Sequence, residues 1–238
     1  MRAWRQTGTG QSVAVNLSVR NLLDHRIIDD VARLVGRSGV PPEALTLEIT
    51  ESAAMLDPGR AREVMIELRA LGVHLAIDDF GAGYASLAYL KQLPANELKV
   101  DKTFVQHIES DPRDRAIVRS SIDLAHDLGF KVVAEGVETA AAMALLRELG
   151  ADLVQGWHIG RPMTAEAFDV ALAGSLAALF LRESGVSPWG ALVGGVAFTL
   201  NPAHGAAFLQ VQPLRKTGAN GFAAYTWQPR VFAVGEKD

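Results

Sequence analysis

The adjacent aspartates Asp78-Asp79, followed by Phe80-Gly81-Ala82-Gly83, are the sharpest chemical feature of this chain. Neighbouring carboxylates at a strand end point in different directions, so one can face a first metal ion and the other a second. A strand-ending aspartate that caps a helix is the plainer alternative. Glu48 and Glu51 flank Ile49-Thr50, with Glu48 placed as a ligand and Glu51 as a loop organiser or helix cap. Lys99 and Asp101 stand two apart and share a face of an extended segment. A lysine there positions a phosphate or an attacking water, or else forms a structural ion pair. Glu135 follows the apolar run Val132-Val133-Ala134 directly, as a metal ligand or general base would. Asn16 and Gln155 add neutral oxygen donors.

The donor set is oxygen-rich. The chain has no cysteine, and its six histidines show no metal-pair spacing. Carboxylates, one Asn and one Lys favour hard divalent ions such as Mg²⁺ or Mn²⁺. Two chemistries fit such a set: phosphodiester hydrolysis by metal-activated water, and enolate chemistry with a lysine base. Residue types alone leave both open.

The elements that position these groups alternate. Val13–Leu17, Leu45–Ile49, Val73–Ile77, Glu97–Val100, Lys131–Ala134 and Asp152–Gln155 read as strands. Helical patterns lie between them, over about 21–35, from Asp57-Pro58 to Gly72, near 84–90, from Asp111-Pro112 to Gly129 and from Thr139 to Gly150. Asp-Pro supplies an N-cap and a helix-compatible first residue, and Gly a stop. Strands alternating with helices predict right-handed βαβ units and a parallel sheet. Because Asn16, Glu48, Asp78-Asp79, Lys99, Glu135 and Gln155 fall at the ends of six successive strands, the pattern favours a (β/α)8 barrel, whose strand ends share one mouth. No glycine-rich phosphate fingerprint follows the first strand, which argues against a Rossmann fold.

The 238 residues are 49% hydrophobic and 21% charged, which excludes a disordered chain. A net charge of −4 argues against a nucleic-acid polymer as partner. The absence of cysteine fits a cytoplasmic location, and no secretory signal or transmembrane segment is read. Residues 1–169 hold 18 basic and 24 acidic residues, whereas 170–238 hold 5 and 3. The expected division is therefore a barrel unit over 1–169 and a C-terminal tail of unknown type over 170–238. Within that tail, Leu192–Leu200, Ala206–Gln212 and Ala223–Val234 have strand-like composition.

Six motifs, in order, carry a resemblance: Val15-Asn16-Leu17-Ser18, Leu47-Glu48-Ile49-Thr50-Glu51-Ser52, Asp78-Asp79-Phe80-Gly81-Ala82-Gly83, Leu98-Lys99-Val100-Asp101, Val133-Ala134-Glu135-Gly136-Val137-Glu138 and Gln155-Gly156. From about Val13 to Met163 the chain resembles the EAL-domain cyclic-di-GMP phosphodiesterases. The resemblance implies a modified TIM barrel that opens cyclic di-GMP to 5′-pGpG with two Mg²⁺ or Mn²⁺ ions. It implies Asn16, Glu48 and Asp78 as ligands of one ion, Asp79 and Asp101 at the other, and Glu135 as ligand or general base. Lys99 would orient the attacking water, Gln155 would complete the inner shell, and Glu51 would steady the loop after Asp79, which the family also uses to form homodimers. The family's Glu-x-Leu-x-Arg motif has no counterpart before Val13, so the chain is expected to begin after the family's first two strands and to lack one ligand glutamate. That leaves a non-hydrolysing cyclic-di-GMP receptor and a partner-dependent fragment as the alternatives.

Overall fold

The computed structural model describes residues 12–83 and 87–161, together with the backbone of four short C-terminal strands at 163–164, 206–207, 210–211 and 230–233. The elements of the body are β1 (Ser12–Asn16), α1 (Val19–Leu23), α2 (Arg26–Ser38), β2 (Leu45–Thr50), α3 (Glu51–Leu56), α4 (Pro58–Ala70), β3 (His74–Phe80), α5 (Leu87–Leu90), β4 (Glu97–Val100), α6 (Lys102–Val105), α7 (Pro112–Asp127), β5 (Lys131–Ala134), α8 (Ala140–Leu149) and β6 (Leu153–Gln155). Strands β1 to β6 lie side by side in sequence order, all parallel. They form an incomplete (β/α) barrel, and their carboxyl ends all face one way.

Local signals set the helix starts. Asp57, Asp111 and Thr139 each accept a backbone N–H of the helix they precede, from Arg60, Arg113 and Ala142. The expected helix over 21–35 is instead two, because the Asp24 N–H turns back to Asn21 and closes α1 before α2 begins. α3 has no counterpart among the expected helices, and Glu51, expected as a loop organiser or helix cap, is its first residue. The expected helix near 84–90 is present as α5, and residues 84–86 lie outside the described residues.

Alternate residues of each strand go to opposite faces. Leu47, Ile49, Leu75, Ile77, Leu98, Val100, Val132, Ala134 and Val154 join the helices in one hydrophobic core, with Val64, Met65, Leu68, Ile122 and Leu146 opposite them. The inner face carries the intervening residues, and there the buried side chains include Thr46, Glu48, Asp78, Glu97 and Lys99. At the amino ends of the strands, backbone groups are tied by side chains. Asn96 Oδ1 accepts the Leu75 N–H at 2.9 Å, and the Asp152 carboxylate accepts the Val132 N–H at 2.9 Å and meets His126 Nε2 at 2.7 Å.

Four further strands are β7 (Met163–Thr164), β8 (Ala206–Ala207), β9 (Gln210–Val211) and β10 (Arg230–Ala233). β10 adds in parallel to β1, and β9 adds antiparallel to β6, so both sides of the six-stranded sheet are paired. β10 also lies against β8 and β9. The strand-like segments at 206–212 and 223–234 thus contain strands, and Leu192–Leu200 lies outside the described residues. No helix among the described residues is long and apolar enough to cross a membrane.

Candidate active site

The sheet curls enough to bring side chains from four strands to one atom. Lys99 Nζ, on β4, lies 3.0 Å from Glu48 Oε2 on β2, 2.9 Å from Asp78 Oδ1 on β3 and 2.7 Å from Glu135 Oε1 just beyond β5. β2 and β5 are three strands apart, a span of roughly 14 Å in a flat sheet, so the contacts require a concave inner face. Lys99, Glu48 and Asp78 are all buried.

A regular strand would send Asp79 to the helix side, opposite Asp78. Instead the register between β3 and β4 shifts between Ile77 and Phe80, and Asp79 takes φ +55°, alone among the described non-glycine residues. A bulge of this kind re-aims a side chain, and the strained backbone marks a constrained position. The Asp79 N–H donates to Asp78 Oδ1 at 3.0 Å. Asp78, Asp79 and Glu135 consequently offer ligand oxygens all within 4.8 Å of one another.

Charge crowding follows from burial. Glu48 is pushed up to about 7, chiefly by burial and then by the charges of Asp78 and Glu135, against the pull of Lys99. Glu135 is raised too, chiefly by burial and then by the charges of Asp78 and Asp79, against the pull of Lys99. Asp79 is raised by burial and by the neighbouring carboxylates of Asp78 and Asp101. For Lys99, burial disfavours the charge, but Glu48, Glu135 and Asp78 outweigh it and hold the ammonium above its ordinary range.

The other expected residues fall around this centre. Asn16 stands beside Glu48 in the β1–β2 register, at the exposed end of its strand. Asp101 caps α6, accepting the Thr103 N–H at 2.7 Å and the Thr103 hydroxyl at 2.5 Å, next to Asp79. Gln155 ends β6, and its Oε1 is buried with no hydrogen-bond partner among the described residues. Glu51 is buried but turned to the loop after Asp79: its Oε2 accepts the Gly81 N–H at 3.0 Å. A Cβ on Gly83 would lie 2.6 Å from Glu51 Oε1, so the loop rests directly on that carboxylate. Glu51 thus holds the loop after Asp79.

Sequence reasoning missed a side wall. A cavity of about 310 Å³ opens beside the cluster, where Lys102, Gln106 and Trp157 join Glu135 and Gln155. The Arg161 guanidinium lies 4.8 Å from the centre of the Trp157 ring. Lys102 and Gln106 are one helical turn apart immediately after Asp101, which is the signal that was available.

The donor set passes the test for hard divalent cations. It is all oxygen, three carboxylates offer oxygens within 4.8 Å of one another, and Gln155 adds a buried oxygen with no partner among the described residues. Fold and site together define the class, and the EAL domain family model matches residues 1–162, so the chain belongs to the EAL domain family. It is 44% identical over 167 residues to the bifunctional diguanylate cyclase/cyclic di-GMP phosphodiesterase MucR of Pseudomonas aeruginosa, covering 70% of this chain and 24% of MucR. A solved MucR phosphodiesterase complex with c-di-GMP aligns with TM-score 0.68 and 43% identity, over 71% of this chain and 68% of that one. BlrP1 of Klebsiella pneumoniae, solved as a manganese/cy-diGMP complex, aligns with TM-score 0.62 and 34% identity, over 67% of this chain and 41% of that one. The chain thus spans about a quarter of MucR's length.

Proposed function

We propose that the chain hydrolyses cyclic di-GMP to 5′-pGpG with two divalent cations, Mg²⁺ or Mn²⁺. The observation that carries this reading is the meeting of Glu48, Asp78 and Glu135, from three strand ends, on the Lys99 ammonium at 2.7–3.0 Å. Asn16, Glu48, Asp78 and Glu135 would hold one cation, and Asp79 and Asp101 the other, with Gln155 completing the shell. When bound, such a pair neutralises the non-bridging phosphate oxygens and makes water a better nucleophile near neutral pH.

The chain's own residues do the rest. Glu135, whose carboxyl is raised by burial, is placed to take the proton of the attacking water. Water oxygen bonds to phosphorus, the bond from phosphorus to the 3′ oxygen breaks, and that oxygen leaves as a hydroxyl with a proton from solvent, to which Glu135 releases the one it took. Lys99 orients the water and the phosphate. Glu51 fixes the loop after Asp79, which also serves as the surface for a homodimer. Residues 1–169 make up the catalytic unit, 170–238 an appended segment, and the protein works in the cytoplasm.

Incubating the whole chain with cyclic di-GMP and Mn²⁺ or Mg²⁺, then separating nucleotides, should yield 5′-pGpG, and none when a chelator is present. Tight binding of cyclic di-GMP without product would assign a receptor role in place of catalysis.

A further inference from the structure

Lys99 shares its partners with the candidate metal site. Two of its three carboxylate contacts, Asp78 and Glu135, are also two of the three groups whose oxygens converge within 4.8 Å. The third contact, Glu48, is 98% buried, and the lysine side chain itself is 4% exposed. Glu48, Asp78 and Glu135 carry three negative charges against one positive when all are ionised, and Asp79 and Asp101 stand next to them. Carboxylates taken out of water at this density repel one another and lose hydration unless a cation is embedded among them. Lys99 comes from β4, between β3 and β5, which is the position from which one side chain reaches all three.

We infer that Lys99 is the built-in counter-ion of the metal-free site, which holds Glu48, Asp78 and Glu135 in their convergent arrangement and whose charge entering divalent cations must oppose. This rests on the two-cation reading above and adds a coupling to it. Because lysine and cation draw on the same carboxylates, removing the ammonium weakens the empty site and strengthens its grip on metal. The two effects are linked, as any pair of ligands sharing one set of groups must be. Lys99 is in this respect a positioning residue, acting on the cations through the carboxylates.

The test uses the full chain and Lys99→Met, with Mn²⁺ as probe. Binding is measured by calorimetry, and melting is followed in chelator and in saturating Mn²⁺. Expected are a lower melting temperature for the variant in chelator, a much smaller deficit in Mn²⁺, and a dissociation constant for Mn²⁺ tightened by about ten-fold or more, given one unit charge removed a few Å away. An equal loss of melting temperature in both conditions, with unchanged or weaker Mn²⁺ binding, would leave Lys99 a plain structural ion pair and overturn the inference. If the variant is unfolded in chelator, Mn²⁺ must restore a cooperative transition, and failure to do so also overturns it. Should the wild-type chain give no Mn²⁺ binding at all, the phosphodiesterase reading fails first, which separates that failure from the failure of the coupling.

Discussion

The two ends of one sheet solve opposite problems. At the amino ends, polar side chains are spent on the backbone: Asn96 on Leu75, and Asp152 on Val132 and His126. The backbone donors of Leu75 and Val132 thereby have acceptors, although the buried Thr46 Oγ1 near the start of β2 has none among the described residues. At the carboxyl ends, Glu48, Asp78 and Glu135 compete for one ammonium, Asp79 sits in a strained conformation, and Gln155 Oε1 is orphaned. The same strands therefore carry one end where polar side chains serve the backbone and another where carboxylates crowd one another. The difference teaches that the crowding is not a by-product of the fold, since among the described residues carboxylate oxygens converge at the carboxyl ends and not at the amino ends of the same strands.

The comparison breaks most visibly at Glu135. Glu135→Gln removes the proton acceptor while keeping its size, so hydrolysis should fall about 10²–10⁴-fold. The melting temperature should hold within a few degrees, because a buried, partly repelled carboxylate has been neutralised; nucleotide assays beside a melting curve check both. Turnover that survives would remove Glu135 from the mechanism. Asp79→Ala should act through metal occupancy. Roughly 10-fold more Mn²⁺ or beyond should be needed for half-maximal activity, and a metal titration that overlays wild type would contradict a second cation at Asp79. At the amino end the effect should reverse in kind. Asp152→Ala leaves the Val132 N–H unpaired and should cost about 1–3 kcal/mol of stability, with turnover per folded molecule unchanged. Denaturant unfolding measures this, and a selective loss of turnover would blur the distinction between the ends.

Much of this was legible in residue order, for identifiable reasons. The six strands stand out because each apolar run is bounded by a cap or a glycine, as with Asp111-Pro112 and Gly150 around α7 and α8. The helix α3 did not, since six residues are too few to show a helical period. Polar residues at strand ends named the candidates Asn16, Glu48, Asp78, Lys99, Glu135 and Gln155. Their meeting point was not legible, because it depends on how far the sheet curls, a property of the packed helices. Nor was the turn of Asp79 into the pocket, which strict alternation forbids and a register shift with φ +55° permits. Lys102 was missed because its one signal, the spacing to Gln106 just after Asp101, is common to any helix, and Arg161 because an arginine in a loop carries no signature of its own.

The last effect concerns protons and reads the crowded end through stability alone. In the metal-free chain Glu48 binds its proton up to about 7, against an ordinary value of 4.5. The folded state thus holds more protons than the unfolded state between those values, and stability falls as pH rises through that window. The stabilisation is complete below about 4.5 and gone above about 7; Glu135 and Asp79, also raised, act in the same sense. The limiting slope for one proton is about 1.4 kcal/mol per pH unit. Denaturant unfolding in chelator from pH 5 to 8 should show this decline, and Glu48→Gln should flatten it by removing the largest resolved contributor. Saturating Mn²⁺ should flatten it too, because a bound cation favours the ionised carboxylates. A decline of equal slope in Glu48→Gln would place the titrating group elsewhere, and a decline untouched by Mn²⁺ would mean that the carboxylates crowded around Lys99 are not the ones that take up the metal.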